Sequence, residues 1–381
     1  MTRREFLTGN QAMAEAAIVS GLKVFVGYPI TPASDLFEYL SEKLPKYGGV
    51  VFQAEDEIAS INALVGAVYA GAKAMTATSG PGFSLMVESL GLAAMLEAPI
   101  VIVYDMRAGP STGIATGTGQ GDVMQSRWGS HGIYMDVVYA PWSVQEAYTL
   151  TIKAFDTAWR LRVPTIVLSD AVLAHTRELV IVHEPGEIKV FDRKKPKEPP
   201  GVFKPFKPDP EDLVPPMAFY GEGYAVFAES LSHDERGYYT TDKKVYESLV
   251  RRLVDKVERN RKLVVESASY YVEDAETLIV AFGSLARNVL ALVKDLRREG
   301  KKVGMWRPKS LWPLDTDGLL RAAEGVKQVI VVEMNYGQLY LEVSRILGPT
   351  GKEVRLVPIL YPELPSPEEI YEKMKEEGVK I

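Results

Sequence analysis

The chain has 381 residues, 46% of them hydrophobic and 25% charged, which predicts a globular protein of two or three domains. The net charge of −6, with no basic segment, argues against a nucleic-acid partner. There is no cysteine, which excludes iron–sulfur ligation through thiolates on this chain. There is also neither a signal-like N-terminus nor an apolar run of about 18 residues, so we expect a cytoplasmic protein without a membrane span.

The first half of the sequence alternates short apolar runs with stretches of helical period. This alternation predicts a mainly parallel α/β sheet that is covered on both faces. Residues 58–70 and 143–161 are predicted helices, and Ser143 with Glu146 has the spacing of a capping box. The predicted strands are residues 24–27, 50–53, 74–78, 99–104, 137–140 and 165–168.

A second α/β unit follows a segment of different composition. Residues 183–216 are rich in lysine and proline and predict an extended linker, and residues 241–264 predict a charged helix. Four further strands are predicted in residues 277–284, 300–308, 326–335 and 353–360, and the sequence closes with a polar helix. We therefore predict two parallel-sheet α/β domains, residues 1–182 and 269–381, joined by a linker and helical insertion, residues 183–268.

The segment YPITP, residues 28–32, follows the first predicted strand. Thr31 and Pro32 suit the N-cap and the first position of the next helix, because a hydroxyl accepts a backbone N–H and proline pre-sets the first turn. A threonine hydroxyl can also donate its proton to a ligand. We predict both roles for Thr31, with capping fixing the rotamer that ligand binding needs.

Three acids, Glu55, Asp56 and Glu57, lie between a predicted strand and a helix rich in alanine. The next strand ends in TSGPG, residues 78–82. One interpretation is structural, because acids at a helix N-terminus are favoured by the helix dipole. The other is chemical, because a partly buried carboxyl has a raised proton affinity.

Arg107 follows the predicted strand 99–104, at the edge where ligands collect in open α/β sheets. A guanidinium binds a carboxylate in a planar, bidentate manner, and the alternative for Arg107 is a surface salt bridge. Beside it, Ser111 and Thr112 either donate hydrogen bonds to a ligand or cap the loop. Among the histidines, which show no metal-ligand spacing, His131 is the best candidate to face a site, and His233 lies in the motif HDERG. The alternative for both is an ordinary hydrogen-bonded loop histidine.

These motifs resemble those of a known family. A glutamate at position 57, a helical glycine nine positions later and a strand ending in TSGPG are similar to the pyrimidine-binding domain of thiamine-diphosphate enzymes. The chain order resembles the α subunits of 2-oxoacid:ferredoxin oxidoreductases, and GEGY with HDERG resembles the subgroup that acts on 2-oxoglutarate. The resemblance implies a pyrimidine-binding domain in residues 1–182 and a transketolase C-terminal-like domain in residues 269–381. The other motifs that carry it are YPITP, RAGPSTG, QGD, WGSHG and EMNYGQL.

The resemblance also implies roles for individual residues. Glu57 would bind the aminopyrimidine ring nitrogen and promote the tautomer that removes the thiazolium proton. The residues implied in cofactor binding are Tyr28, Pro29, Ser79 and Gly80. The residues implied in 2-oxoacid binding are Thr31, Arg107, Ser111 and Thr112. The second carboxylate of 2-oxoglutarate should require another cation, for which the candidates are Arg127, Arg236 and Lys73.

A division of labour between subunits follows from the resemblance. The Gly-Asp-Gly motif that holds Mg²⁺ and the cofactor's diphosphate is missing, and Asp122 in GQGD is interpreted as a loop acid, so no metal is expected on this chain. A partner β subunit would carry that motif and a [4Fe-4S] cluster, with further γ and ferredoxin-like δ subunits in a dimerised hetero-oligomer. Coenzyme A and ferredoxin would be co-substrates of the oxidative decarboxylation that yields an acyl-CoA.

Two alternatives stay open at this point. The chain could be half of a thiamine-dependent dehydrogenase or transketolase, using lipoamide or a sugar acceptor. It could also be a non-catalytic α/β scaffold that organises partners. An iron–sulfur partner would exclude the first alternative, and thiamine diphosphate in the assembled complex would exclude the second.

Overall fold

The computed structural model describes residues 3–381 and consists of two mainly parallel β-sheets flanked by helices, with a separate two-stranded ribbon. In the first half the strands are β1 (Arg3–Thr8), β2 (Val24–Gly27), β3 (Val50–Gln53), β4 (Ala74–Ser79), β5 (Val101–Met106), β6 (Val137–Tyr139), β7 (Thr165–Asp170) and β8 (Arg177–Val182). The helices there are α1 (Gly9–Val19), α2 (Ser34–Lys43), α3 (Glu57–Tyr69), α4 (Gly80–Met95), α5 (Gln125–Trp128), α6 (Val144–Leu161) and α7 (Ala171–His175), with a 3₁₀ turn at Leu44–Tyr47.

The second half begins with two helices and continues as strands and helices in alternation. Its strands are β9 (Ser267–Tyr270), β10 (Thr277–Val280), β11 (Val303–Pro308), β12 (Ser310–Trp312), β13 (Gln328–Glu333) and β14 (Glu353–Pro358). Its helices are α8 (Lys243–Arg259), α9 (Arg261–Val264), α10 (Leu285–Arg298), α11 (Thr316–Ala322), α12 (Gln338–Leu347) and α13 (Pro367–Glu376), with a 3₁₀ turn at Gly348–Thr350.

The larger sheet has seven strands in the order β12-β6-β7-β5-β4-β2-β3. Its strands run parallel except β12, which pairs antiparallel with β6. The central strands β4, β5 and β7 are buried at every residue, as expected for a parallel sheet with helices on both faces. Their carboxyl ends therefore meet at one edge of the sheet.

The smaller sheet has five strands in the order β14-β13-β10-β11-β9, parallel except for the antiparallel edge strand β9. The ribbon pairs β1 with β8 antiparallel and stands apart from both sheets. The predicted fold class, two parallel-sheet α/β units, is confirmed. The domain boundaries at 182 and 268 stay a prediction, and β12 lies in the sequence of the second unit while it extends the sheet of the first.

Buried charges fix the segment between the two units. Residues 183–242 contain neither helix nor strand. Arg162 Nη1 donates to the carbonyls of Pro205 (3.0 Å) and Pro216 (3.1 Å) in this segment. The fully buried Glu97 carboxylate accepts from Arg252 (2.7 and 2.8 Å) and Lys256 (2.8 Å) of α8. The connecting chain and α8 are thereby tied to the first sheet's helical layer.

The predicted capping box of α6 is only half present. Ser143 Oγ accepts from the Glu146 backbone N–H at 3.2 Å, as predicted. The Glu146 carboxylate does not bond back to Ser143, because it pairs with the buried Arg307 and accepts from the Trp142 N–H at 3.2 Å. In residues 3–381, no helix is both long and apolar enough to cross a bilayer.

Candidate active site

Four adjacent strands of the larger sheet deliver the predicted site residues to one edge. The strand order β5-β4-β2-β3 places their carboxyl ends side by side. Arg107 follows β5, the turn at Tyr28–Thr31 follows β2, and α3 with Glu57 follows β3. This is the edge at which open α/β sheets bind ligands.

Arg107 is buried and held by main-chain atoms from two segments. Its side chain is 7% exposed. Nη1 donates to the Thr31 carbonyl at 2.8 Å and Nη2 to the Thr112 carbonyl at 2.9 Å, while Nε is shielded from solvent without a partner. No carboxylate among residues 3–381 forms an ion pair with it, so the surface salt bridge considered from the sequence is wrong. A buried guanidinium with an unused N–H is suited to bind an anion.

A cavity of about 710 Å³ opens beside Arg107, between the edge of the larger sheet and the second unit. Gly80 and Ser111, both predicted site residues, line it together with Arg107. The wall on the side of the larger sheet also includes Pro81, Ser84, Ala108, Gly109, Pro110, Ile114, Thr118, Gly119, Gly121, Asp122 and Gln125. The opposite wall consists of Met334, Asn335, Ile359, Leu360, Tyr361 and Pro362.

The three acids at the start of α3 have three different environments. Glu55 is exposed, and Asp56 is the N-cap, accepting the Ala59 N–H at 2.8 Å. Glu57 is 4% exposed and forms no ion pair with any residue in 3–381. Burial raises the pKa of Glu57, the charge of Asp56 adds to this, and a backbone hydrogen bond opposes it. Asp56 therefore has the position of a helix-capping acid, and Glu57 has the environment of a buried carboxyl with raised proton affinity.

The Glu57 carboxyl lies against the start of α4, whose first residues line the cavity. A Cβ at Gly82 would collide with this carboxylate and with Thr78 Oγ1, so a side chain here would displace the Glu57 carboxylate or Thr78. Ser79 is fully buried, and its hydroxyl has no hydrogen-bond partner within residues 3–381. A protonatable carboxyl and an unpaired buried hydroxyl at one strand edge fit the polar rim of an aminopyrimidine ring.

The remaining predicted cofactor residues follow β2 directly. Tyr28 is 40% exposed, and Pro29 is exposed as well. Neither lines the cavity. Their open surface is available to a ligand or to another chain.

Thr31 is not the N-cap of α2, so that prediction is wrong. The helix begins at Ser34, and Ala33 is the N-cap, with its carbonyl accepting from Phe37 N–H. The Thr31 carbonyl instead accepts a hydrogen bond from Arg107 and takes no part in the hydrogen bonds of the helix. The Thr31 side chain is exposed, and its hydroxyl forms no side-chain cap.

Ser111 and Thr112 lie on an exposed loop beyond Arg107. Ser111 has a φ of 56°, a left-handed conformation uncommon for a residue with a side chain, and it lines the cavity. The carbonyl of Thr112, and not its hydroxyl, accepts the hydrogen bond from Arg107. The two interpretations of these hydroxyls, ligand binding and loop capping, both stay predictions.

Asp122 and Gln125 are cavity residues that were not predicted as part of the site. Asp122 Oδ2 is shielded from solvent without a partner, and burial raises the pKa of Asp122 to about 6 against the opposing charge of Arg107. Gln125 Oε1 accepts from the Tyr104 hydroxyl at 2.8 Å. The QGD segment contains Asp122, which the sequence alone indicated only as a loop acid, whereas the structure places it in the lining of the cavity.

The three candidate second cations lie elsewhere. Lys73 precedes β4, at the opposite edge of the sheet, and donates to main-chain carbonyls. Arg236 is exposed and pairs with Asp234 at 2.7 Å. Arg127 is buried with its guanidinium carbon 4.0 Å from the Trp128 ring centroid. None of these cations lines the cavity.

The two histidines singled out in the sequence also lie outside the cavity. His131 is exposed on the loop after α5 and does not line this cavity, so a role for it in a site stays a prediction. His233 is 1% exposed, packs on the Phe206 ring and lies 3.3 Å from the Met95 carbonyl through Nε2. The HDERG motif therefore packs the connecting segment against the end of α4.

Comparisons with known proteins identify the family of the chain. Residues 15–252 match the family model described as "Pyruvate flavodoxin/ferredoxin oxidoreductase, thiamine diP-bdg", and residues 275–362 match "Pyruvate:ferredoxin oxidoreductase core domain II". The 2-oxoglutarate synthase subunit KorA of Methanocaldococcus jannaschii is 46% identical over 96% of this chain and 98% of that protein. The ketoisovalerate oxidoreductase subunit VorB of Methanothermobacter thermautotrophicus is 34% identical over 98% of this chain and 97% of that protein.

One similar solved structure is a 2-oxoglutarate:ferredoxin oxidoreductase from Magnetococcus marinus with 2-oxoglutarate, coenzyme A and succinyl-CoA bound. Its TM-score is 0.91 at 34% sequence identity, over 98% of this chain. The chain spans 65% of the length of that protein's chain.

Proposed function

The chain belongs to the 2-oxoacid:ferredoxin oxidoreductase family as an α subunit, and from this premise we propose that its complex converts 2-oxoglutarate to succinyl-CoA. One 2-oxoglutarate and one coenzyme A give succinyl-CoA, CO₂ and a proton, and the two electrons released reduce two ferredoxins. The similarity to 2-oxoglutarate synthase subunits over nearly the whole chain carries the choice of substrate.

We propose that Glu57 serves the aminopyrimidine end of thiamine diphosphate. When bound, this cofactor supplies the carbanion chemistry that releases CO₂ from a 2-oxoacid. A buried carboxyl with a raised pKa can hold a proton at the ring nitrogen and pass it back within the catalytic cycle. Tyr28, Pro29, Ser79 and Gly80 complete the proposed pyrimidine side.

Arg107 is the proposed anchor of the 2-oxoacid carboxylate. Among the cavity-lining residues it is the one cation, and its Nε still lacks a hydrogen-bond partner. The hydroxyls of Thr31, Ser111 and Thr112 would add neutral hydrogen bonds on either side. The cavity lining contains one guanidinium, whereas the substrate has two carboxylates. We therefore propose that the partner subunit binds the second carboxylate.

We propose a β subunit that supplies what this chain lacks. The sequence has no cysteine for an iron–sulfur cluster and no Gly-Asp-Gly motif for Mg²⁺ and diphosphate. A [4Fe-4S] cluster and the metal would thus reside on the partner, with γ and ferredoxin-like δ subunits completing a dimerised assembly. The cytoplasmic location also stays a prediction.

A substrate screen of the purified complex tests the function. We expect the highest kcat/KM for ferredoxin reduction with 2-oxoglutarate, above pyruvate, 2-oxoisovalerate and aryl pyruvates. 2-Oxoisovalerate is the second candidate, because the chain also resembles ketoisovalerate oxidoreductase subunits. Preference for a monocarboxylate would overturn the choice of 2-oxoglutarate, and a colourless complex without thiamine diphosphate would overturn the whole assignment.

A further inference from the structure

We propose that the second α/β unit positions the substrate-binding arginine through an amide bridge, defined as the side chains of Gln120, Asn335 and Gln338. The inference rests on the proposed role of Arg107 in 2-oxoacid binding. It assigns to these three amides a positioning role, because each bonds main-chain atoms across the junction between the two units.

Gln120 is the buried centre of the amide bridge. Its Nε2 donates to the Phe282 carbonyl at 2.9 Å, and its Oε1 accepts from the Met334 N–H at 3.1 Å. Its own N–H donates to the Met334 carbonyl at 3.1 Å. The side chain is 0% exposed, so all three bonds form away from solvent, where an unmade bond is costly.

Asn335 and Gln338 reach back from the second unit to the same loop. Asn335 Nδ2 donates to the Gln120 carbonyl at 2.8 Å. Gln338 Nε2 donates to the Gly121 carbonyl at 2.5 Å, and its Oε1 accepts from the Met124 N–H at 2.8 Å. Main-chain groups on both sides of Asp122 are therefore fixed from the second unit.

The anchored residues are the base of the loop that holds Arg107. The Ala108 N–H donates to the Gly117 carbonyl at 2.9 Å, and the Thr118 N–H donates to the Pro362 carbonyl at 3.0 Å. The same loop carries Thr112, whose carbonyl accepts from Arg107 Nη2. The second unit therefore holds the main chain at Thr118 and Gln120 by hydrogen bonds, and the covalent chain of the loop connects these positions to Gly117 and to Thr112, which bonds the guanidinium.

Neutral amides suit this task because one side chain supplies both a donor and an acceptor. A charged side chain in place of Gln120 would satisfy only one kind of main-chain group and would add a buried charge. Displacing a catalytic or binding group by about 1 Å can lower a rate 100-fold, so loss of the bridge should affect substrate binding strongly.

Two variants disrupt the amide bridge from opposite sides, and both are measured in the assembled complex. Gln120→Met removes the buried amide at similar volume, and Gln338→Ala removes a half-exposed one that folding tolerates better. The matched control is Gln328→Met, whose amide bonds Thr277 and Lys380 at the far end of the second unit. We expect KM for the 2-oxoacid to rise about tenfold in both variants, with KM for coenzyme A unchanged. KM values like those of the control would overturn the proposal.

Double variants separate positioning from simple structural damage. If Gln120 acts through Arg107, Gln120→Met should add no further increase in KM to Arg107→Ala. Multiplicative effects would instead show that the two residues act independently and would overturn the inference. Hydrogen exchange of residues 108–122 should quicken in Gln120→Met even without substrate. If Arg107→Ala alone leaves KM unchanged, the proposed role of Arg107 is what fails, and this outcome overturns the inference as well.

Discussion

Arg107 and Thr31 are joined by a 2.8 Å hydrogen bond from the guanidinium Nη1 to the main-chain carbonyl of Thr31. This bond links the ends of β5 and β2, strands separated by β4 in the sheet. It orients the guanidinium without using the Thr31 side chain, whose hydroxyl stays free to meet a substrate. The contribution of each group to 2-oxoacid binding can therefore be tested separately.

Arg107→Ala is expected to lower kcat/KM for the 2-oxoacid by about 10- to 150-fold, because a hydrogen bond to a charged group contributes about 1.5–3 kcal/mol. Steady-state ferredoxin reduction at saturating thiamine diphosphate measures this. Arg236→Ala is the control, since Arg236 is exposed and pairs with Asp234 outside the cavity. Equal kinetics for the two variants would remove Arg107 from the substrate site.

Thr31→Val should reduce kcat/KM by about 2- to 13-fold, whereas Thr31→Ser should retain most of it, because the hydroxyl alone contributes about 0.5–1.5 kcal/mol. Neither change removes the carbonyl that holds Arg107, so the pair isolates the hydroxyl. The same steady-state assay applies. Activity of the valine variant close to that of the serine variant would show that the hydroxyl takes no part in binding.

Glu57→Gln should lower kcat by a factor on the order of 10²–10⁴, because an amide cannot take up and return a proton. Assembly and cofactor content should persist, which size-exclusion chromatography and thiamine determination would check. Glu55→Gln is the matched control two residues away, on an exposed side chain. Near-normal turnover of Glu57→Gln would contradict the proposed role.

Glu97→Gln should destabilise the full chain by about 3–5 kcal/mol, because Arg252 and Lys256 would be left buried without a countercharge. Thermal unfolding and proteolysis of the connecting segment should both report this loss. Glu247→Gln breaks an exposed pair with Arg251, which solvent screens, and should leave the unfolding midpoint close to that of the natural chain. Similar midpoints for the two variants would disprove the importance of the buried cluster.

Asp105 predicts a pH dependence of stability. Burial, with the charge of Asp35 adding to it, raises the pKa of Asp105 to about 8, against the charge of His175. In the unfolded chain this carboxyl has its ordinary pKa of about 4. The stabilising contribution of the neutral carboxyl is therefore complete below that pH and is lost as the pH rises to about 8.

Asp105→Asn should consequently flatten the decline of the unfolding temperature between pH 5 and pH 8. All other titrating groups, including Asp170 nearby, are shared by the two chains, so the difference between their curves reports Asp105. Parallel curves for the variant and the natural chain would mean that this carboxyl ionises without cost to stability.

Much of the fold could be predicted because its strands are short apolar runs between helices. The predicted β2 and β3 agree with the structure at both ends, and β4 to β7 differ by at most two residues at either end. The ribbon β1–β8, β9 and β12 were not predicted. β12 has three residues and pairs with β6, which is more than 160 residues away in sequence, so no local pattern indicates it.

The candidate site was predictable where a residue stands directly after a strand, as Arg107 and Gly80 do. The site was less predictable from the sequence where tertiary contacts compete with local backbone preferences. Thr31 and Pro32 are typical of a helix start, but the Thr31 carbonyl accepts a hydrogen bond from Arg107, and the helix begins at Ser34. Asp122 enters the cavity because the second unit fixes its neighbours, and nothing within its own segment encodes that contact.

The pairing of β12 with β6 has a practical consequence for anyone dividing this protein. A fragment that stops before Ser310 would leave β6 as an open edge with unpaired N–H and C=O groups, which invites association with other chains. A fragment that starts after the connecting segment would carry Trp312, 7% exposed in the whole chain, on an unsupported strand. The two halves would therefore have to be co-expressed, so that β12 of one fragment can pair with β6 of the other during folding.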